Sequence, residues 1–233
     1  KRWDKFDNFL RDKIDQGIVI PITNNLYDKK YTEHFTQREW QFIPSLCEYT
    51  KLKYTGTKDD LILYSKCKDV NLPNVIKKQN IQDSSWENIY SHKGIIHIPY
   101  NISTMSIFEQ KTAGIPLIFP SVDYLLRIQG NLGELFYGGI AEQGEPPHNT
   151  DCEFWRSKEN VQLADFFQWK EVLRFDSEEH LSQLLEIVDF QKMSQRSLEE
   201  NKIIKKETYE KWNKVLSDIQ KPIIINNKNL IKH

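Results

Sequence analysis

The residues best suited to chemistry fall in one stretch, His92-Lys93-Gly94-Ile95-Ile96-His97-Ile98-Pro99-Tyr100-Asn101-Ile102-Ser103-Thr104-Met105-Ser106-Ile107-Phe108-Glu109-Gln110. It reads as a strand, a loop and the start of a helix. Tyr100, Asn101, Ser103, Thr104 and Ser106, around Met105, gather hydroxyl and amide groups where a helix leaves its first backbone N–H groups unpaired. Amides of that kind, with hydroxyls beside them, bind anions. Glu109 follows one to two turns later, where a carboxylate would accept hydrogen bonds from the vicinal hydroxyls of a sugar. Pyrophosphate at the helix start and ribose at Glu109 would together describe a nucleotide diphosphate. The same residues equally fit a Ser103 that only caps a helix and a Glu109 that is a solvated charge.

A second phosphate contact is expected from Ser65-Lys66-Cys67-Lys68, at the end of the apolar run Leu61-Ile62-Leu63-Tyr64; solvated loop lysines are the alternative. Trp86 and Tyr90, just before the key strand, are placed to border a base pocket. His92 and His97 sit five residues apart on either side of a strand, so they face opposite ways and cannot share a metal. His97, between Ile96 and Ile98, reads as a core or strand-end residue, and His92 as solvated. Cys67 reads as a plain thiol rather than a nucleophile. No Gly-x-Ser-x-Gly elbow supports a serine hydrolase. No Asp-x-Asp pair is present to hold a nucleotide sugar through a divalent cation.

The elements that must position these groups follow from apolar spacing. Trp3, Phe6, Leu10 and Ile14 mark one face of a helix that Gly17 stops. Ile18–Ile22 reads as a short buried strand, Tyr27–Phe35 as a helix and Gln41–Ile43 as an extended piece. Cys47–Asp59 is polar and aperiodic, and is expected to connect two domains. From Asp60 to about Gln129 strands alternate with helices: Leu61–Tyr64, Asn74–Ile76, a helix capped by Ser84-Ser85, Gly94–Ile98, Ser103–Ala113 closed by Gly114, Ile115–Phe119, and a helix capped by Ser121. That alternation forces a parallel sheet covered by helices, the Rossmann-like pattern. Ligands of such sheets sit beyond the carboxyl ends of the strands, where the Tyr100–Ser106 loop falls. Gly130–Lys158, with Gly133, Gly138, Gly139, Gly144 and Pro146-Pro147, is expected to be a long surface loop. Helices over Asn160–Trp169, over Glu178–Val188 behind an Asp176/Glu179 capping box, and over Ser194–Ile219 should close the chain, the last laced by Glu207/Lys211 and Glu210/Lys214 pairs.

Composition limits the function classes. The 233 residues carry 32 Lys+Arg against 33 Asp+Glu, a net charge of −1, which argues against a protein that works by neutralising nucleic-acid phosphates. No apolar run approaches the roughly 20 residues that cross a bilayer. Three cysteines, Cys47, Cys67 and Cys152, are too few and too scattered for a disulfide framework. Aromatic residues make up 12%, compatible with stacking on sugar rings, although most fall on core periods. The chain opens at Lys1 inside a helical pattern, so an upstream portion is expected to be missing and targeting cannot be judged.

The block Ile107-Phe108-Glu109-Gln110-Lys111-Thr112-Ala113-Gly114-Ile115-Pro116-Leu117-Ile118 resembles the donor-domain signature of GT-B glycosyltransferases. More broadly, Asn25-Leu26-Tyr27-Asp28, Ile43-Pro44-Ser45-Leu46-Cys47, Tyr49-Thr50, Ala164-Asp165-Phe166-Phe167 and Arg174-Phe175-Asp176-Ser177 resemble exostosin-like members of that class, such as those of large algal viruses. The resemblance implies an α/β fold of GT-B type: residues 1–50 a partial acceptor-side α/β portion, 51–200 a Rossmann-like donor domain, 201–233 a helix returning to the first part. It implies transfer of a sugar from a nucleotide diphosphate, most specifically UDP-xylose in a viral xylosyltransferase, to a carbohydrate acceptor, without a metal or other cofactor. It further implies Glu109 on the ribose, the preceding turn and Lys66 on the diphosphate, and a carboxylate base from the N-terminal portion, for which Asp28 is the nominee. Where the family carries a first glutamate this chain has Asn101. The implied partners are the donor and a glycan, with no nucleic acid and no membrane span, and the implied compartment is the cytoplasm (the host's, for a viral protein). A nucleotide- or glycan-binding module without turnover and a nucleotide-sugar epimerase of the same architecture are the competing readings.

Overall fold

The computed structural model describes residues 2–65, 72–130 and 157–220. The expectations for Lys66, Cys67, Lys68 and Cys152, for most of the Gly130–Lys158 loop and for residues 221–233 lie outside the described residues. The element order is α1 (Arg2–Asp15), β1 (Ile22–Thr23), α2 (Leu26–Thr36), β2 (Gln41–Phe42), β3 (Leu61–Ser65), β4 (Val75–Lys77), α3 (Trp86–Ser91), β5 (Gly94–Ile98), α4 (Met105–Ala113), β6 (Leu117–Pro120), α5 (Val122–Gly130), α6 (Lys158–Val161), α7 (Asp165–Gln168), β7 (Leu173–Phe175), α8 (Glu178–Ile187) and α9 (Phe190–Gln220).

The runs Leu61-Ile62-Leu63, Ile95-Ile96 and Leu117-Ile118-Phe119 are apolar without alternation because their strands are buried on both faces. All five strands of the main sheet are parallel, in the order β4-β3-β5-β6-β7, with Leu61 opposite Gly94 and Ile95 opposite Leu117. The chain moves outward from β3 to β4, returns to the other side of β3 as β5, and continues through β6 to β7. The direction of winding therefore reverses between β3 and β5. In doubly wound sheets that reversal opens a crevice at the carboxyl ends of the two strands.

Local chemistry sets the helix ends. Ser85 accepts the Asn88 N–H and opens α3. Gly114 closes α4 at φ 79°, and a Cβ there would stand 2.7 Å from the Leu198 side chain of α9, so both the backbone and the space require glycine.

Several sequence expectations are corrected. Ile18–Ile22 does not form a strand; only Ile22 and Thr23 pair, in parallel with β2, and Ile18 is 63% exposed. The Ile18 and Val19 N–H groups are spent on the Lys13 carbonyl at the end of α1, and Pro21 has none to give. On α1 itself, Trp3 and Phe6 are exposed rather than buried. Asn160–Trp169 is two short helices, α6 and α7. Buried Val161, Ala164 and Phe166 cannot share one face of a continuous helix, and the extended Ala164 resets the chain so that all three turn inward. Helix α8 is capped by Ser177, not Asp176: extended Ser177 brings its Oγ to the His180 N–H at 3.1 Å, while Asp176 lies one residue too early. Helix α9 begins at Phe190, because Asp189 caps it through the Lys192 N–H. Its Glu210 is 3.9 Å from Lys206, and Lys211 lies over the Phe42 ring. Strand β7 had no periodic signal, since it is only three residues long.

The Cys47–Asp59 stretch is not a free linker. Tyr54, Thr55 and Lys58 donate backbone N–H groups to Ala113, Tyr90 and Ser91, strapping it across the main sheet's helices. Tyr27 and Cys47 belong to the same continuous buried cluster as the sheet. Helix α9 returns to the N-terminal segment, where Lys205 pairs with Glu48 and Thr208 and Trp212 face Ile22 and Asp28 across a cavity.

Candidate functional site

A cavity of about 370 Å³ opens where the winding reverses. Tyr64 and Ser65 line it from the end of β3, His97, Ile98, Pro99 and Tyr100 from the end of β5, Lys78 and Gln79 from beyond β4, and Thr104, Ser106 and Ile107 from the start of α4. The volume suits a nucleotide-sized ligand.

The helix start is arranged to leave its amides available. Thr104 takes the cap position in an extended conformation but makes no side-chain capping bond. Asn101 Oδ1 accepts the Ile102 N–H at 2.7 Å, and the Ser103 hydroxyl is engaged by Asp165, so neither turns back onto the first helical turn. The N-terminal end of α4, carrying the positive end of its dipole, thus meets the cavity. Lys78 adds a cation and is steadied by Ser84 at 2.7 Å. Among the described residues, no Asp or Glu lines the cavity, so its lining carries only positive charge.

Two lining groups are held neutral. Burial pushes the Tyr64 phenol up to about 12. Burial brings the His97 imidazole down to about 4, against the opposing pull of its bond to Gln110. The His97 ring is packed between Tyr64, at 5.0 Å between centroids, and Phe119, at 5.3 Å, and its Nε2 lies 2.6 Å from Gln110 Oε1.

Of the residues expected from sequence, Ser65, Tyr100, Thr104 and Ser106 meet in this cavity, and Asn101 and Ser103 shape the loop beside it. Met105 turns to the opposite side of the helix start, 53% exposed, toward a separate cavity of about 780 Å³ that holds Asp28, Thr208, Tyr209 and Trp212. Glu109 is not brought to the switch-point cavity. It is 7% exposed, its carboxyl raised by burial, near enough to Cys47 that its charge raises that thiol further. Tyr90 is buried in the core with its hydroxyl 3.5 Å from the Glu109 carbonyl, and Trp86 packs on it, so neither borders this cavity.

Asp28 is held by Asn25, which caps α2 and donates Nδ2–H to Asp28 Oδ2 at 2.6 Å; burial raises its carboxyl nonetheless. Asp165, at the start of α7, is 5% exposed, accepts from Ser103 and leaves Oδ2 buried without a partner. Desolvation, reinforced by the Asp28 charge, pushes it up to about 7 despite the Ser103 bond. Two carboxyls from distant parts of the chain thus stand on one side of the α4 start, with the cavity on the other.

Sequence reasoning missed Tyr64, Lys78, Gln79 and Asp165; His97 is the buried strand-end residue expected, and it also lines the cavity. Applying the carboxyl-end rule to β4 as well as β5 finds Lys78 and Gln79. Asp165 is signalled by its place among Ala164, Phe166 and Phe167, where a solvated acid is out of place. Among the described residues, no group of His, Cys, Asp and Glu is placed to hold a metal ion, and no helix is long and apolar enough to cross a membrane. The chain matches no protein-family profile, no curated protein and no solved structure.

Proposed function

We propose that the switch-point cavity binds a nucleoside diphosphate sugar, with UDP as the nucleotide, and that the chain transfers the sugar to a carbohydrate acceptor as a glycosyltransferase of exostosin-like, GT-B type. The observation that carries this reading is the positively charged cavity at the β3/β5 reversal, closed by the uncapped start of α4 and Lys78. A diphosphate seated there meets backbone amides, two hydroxyls and an ammonium. As the bond to the anomeric carbon breaks, negative charge grows on the departing diphosphate, and fixed donors stabilise that charge more than they stabilise the bound donor. No metal is assigned to this step. The acceptor hydroxyl must lose a proton, and the carboxyls of Asp28 and Asp165, both raised by burial, are the groups nominated to receive it.

One observation favours a second reading, a nucleotide-binding module without turnover: among the described residues no carboxylate lines the cavity itself. Incubation with UDP-xylose and other UDP-sugars, with and without oligosaccharide acceptors, separates the two. Acceptor-dependent release of free UDP supports the transferase. UDP binding with no release under any pairing supports the module, and release regardless of acceptor points to hydrolysis.

A further inference from the structure

A cavity of about 820 Å³, with none of its lining shared with the nucleotide cavity, follows the long helix α9. Gln195, Glu199, Ile203, Glu207 and Lys211 line it at intervals of four residues, so this wall runs along the helix for about 24 Å. The rest of the lining comes from β2 and the residue after it but one, from α7 and the turn between α7 and β7, and from neighbouring positions of α9. A groove of that length suits a chain molecule better than a compact one.

The lining combines two kinds of surface. Gln168, Gln195 and Glu199 present planar amide and carboxylate groups, whose paired polar atoms match the neighbouring hydroxyls of a sugar. Trp169, Ile203 and Ile204 supply the apolar surface that suits the C–H faces of sugar rings. Five acidic side chains against three basic ones disfavour phosphate here, whereas the lining of the nucleotide cavity carries only positive charge. The two cavities are thus suited to different ligands, one to an anion and the other to a neutral polyol.

Asp165 adds a polar group with unmet hydrogen-bonding capacity. It lines the groove, is 5% exposed, and its Oδ2 has no partner. A buried polar atom left unpaired costs about 1–3 kcal/mol, which a ligand hydroxyl set against the carboxyl would relieve. The same carboxyl accepts from the Ser103 hydroxyl, and Ser103 precedes Thr104 of the nucleotide cavity. The groove therefore reaches the helix start at which the donor is expected to bind.

We propose that this groove binds the acceptor as an extended, uncharged oligosaccharide, with one of its hydroxyls donating to Asp165. This rests on the glycosyltransferase reading of the chain. A single sugar fills only part of the groove, so affinity rises with the number of sugars.

A printed glycan array probed with the full chain, followed by calorimetric titration of the tightest neutral tetrasaccharide and of its component monosaccharide, tests this. The array should select neutral oligosaccharides, and the tetrasaccharide should bind at least about tenfold tighter than the monosaccharide. Asp165→Ala should weaken the tetrasaccharide at least about tenfold, the value of a hydrogen bond to a charged group. Gln195→Ala with Glu199→Ala alters two exposed side chains, spares the core and should weaken it about fivefold. Trp212→Ala, in the neighbouring cavity that holds Asp28, should leave it unchanged. Absence of any neutral glycan on the array, a preference for sulfated or sialylated glycans, or a loss in Trp212→Ala with none in the Gln195→Ala, Glu199→Ala pair overturns the proposal. Titration with UDP separates this from the wider reading. UDP binding without glycan binding removes the groove alone, and glycan binding without UDP binding keeps the groove as a glycan site and removes the transferase reading.

Discussion

Lys111 on α4 and Glu200 on α9 form a buried ion pair, with side chains 4% and 15% exposed, that ties the helix heading the cavity to the long C-terminal helix. Burial lowers the lysine's pKa and the carboxylate holds it up; Ser197 and the Trp169 ring complete its surroundings. Glu200 also accepts the Lys170 and Glu171 N–H groups, so one carboxylate joins α4, α9 and the turn leading into β7.

Removing one partner leaves the other charge buried. Lys111→Ala should therefore lower unfolding stability by about 3–5 kcal/mol, measured by urea denaturation. Lys111→Met with Glu200→Leu should recover part of that, but not all, because the two backbone amides lose their acceptor.

Gly114→Ala places a methyl on Leu198 at a backbone angle L residues rarely adopt. A loss of at least about 1 kcal/mol is expected from the backbone alone, with more from the contact. Gly114→Ala combined with Leu198→Ala should regain the part due to the contact, and thermal unfolding of both variants checks the split.

Asp165 makes stability depend on pH with a definite sign. Its folded pKa, raised to about 7, lies above the ordinary aspartate value of 3.8, so the folded state holds this proton more tightly than the unfolded chain does. Stability from this group is full below the unfolded value and falls as pH climbs toward 7. His97, depressed to about 4, works in the opposite sense over much of the same range, so the Asp165 part must be read as a difference. Asp165→Asn should gain stability relative to wild type as pH rises from about 4 to 8, and a difference independent of pH contradicts the assignment.

Glu109 gives a clean contrast between sequence and structure. As a ribose ligand its loss would weaken UDP binding strongly; buried beside Cys47, outside the cavity lining, it should not. Glu109→Gln is expected to change UDP affinity by no more than about twofold, whereas Lys78→Ala should weaken it by at least about fivefold, since ion pairs and charged hydrogen bonds to phosphate are worth more than neutral contacts.

The sheet was legible because Leu61–Tyr64, Gly94–Ile98 and Ile115–Phe119 are largely apolar runs, broken only by His97, set between helices, a pattern few other arrangements satisfy. The loop before α4 was legible for the same reason: a strand end followed by Ser103, Thr104 and Ser106 marks the ligand side of a parallel sheet. What stayed hidden depends on long-range contact. Lys78 joins the cavity only because β4 pairs beside β3, and Asp165 meets Ser103 only after two short helices fold back over Phe119. Glu109 shows the reverse limit. Spacing places a residue on a helix, but the Cys47–Asp59 strap that packs over that helix decides whether it faces a ligand or the core.

The most direct test of the account is amide chemical-shift mapping of the full chain titrated with UDP. The account predicts saturable shifts clustered at Tyr64, Ser65, Lys78, His97, Tyr100, Thr104 and Ser106, with little change around Thr208 and Trp212. No saturable shifts, or a cluster around Asp28, Thr208 and Trp212 that spares the start of α4, would contradict it.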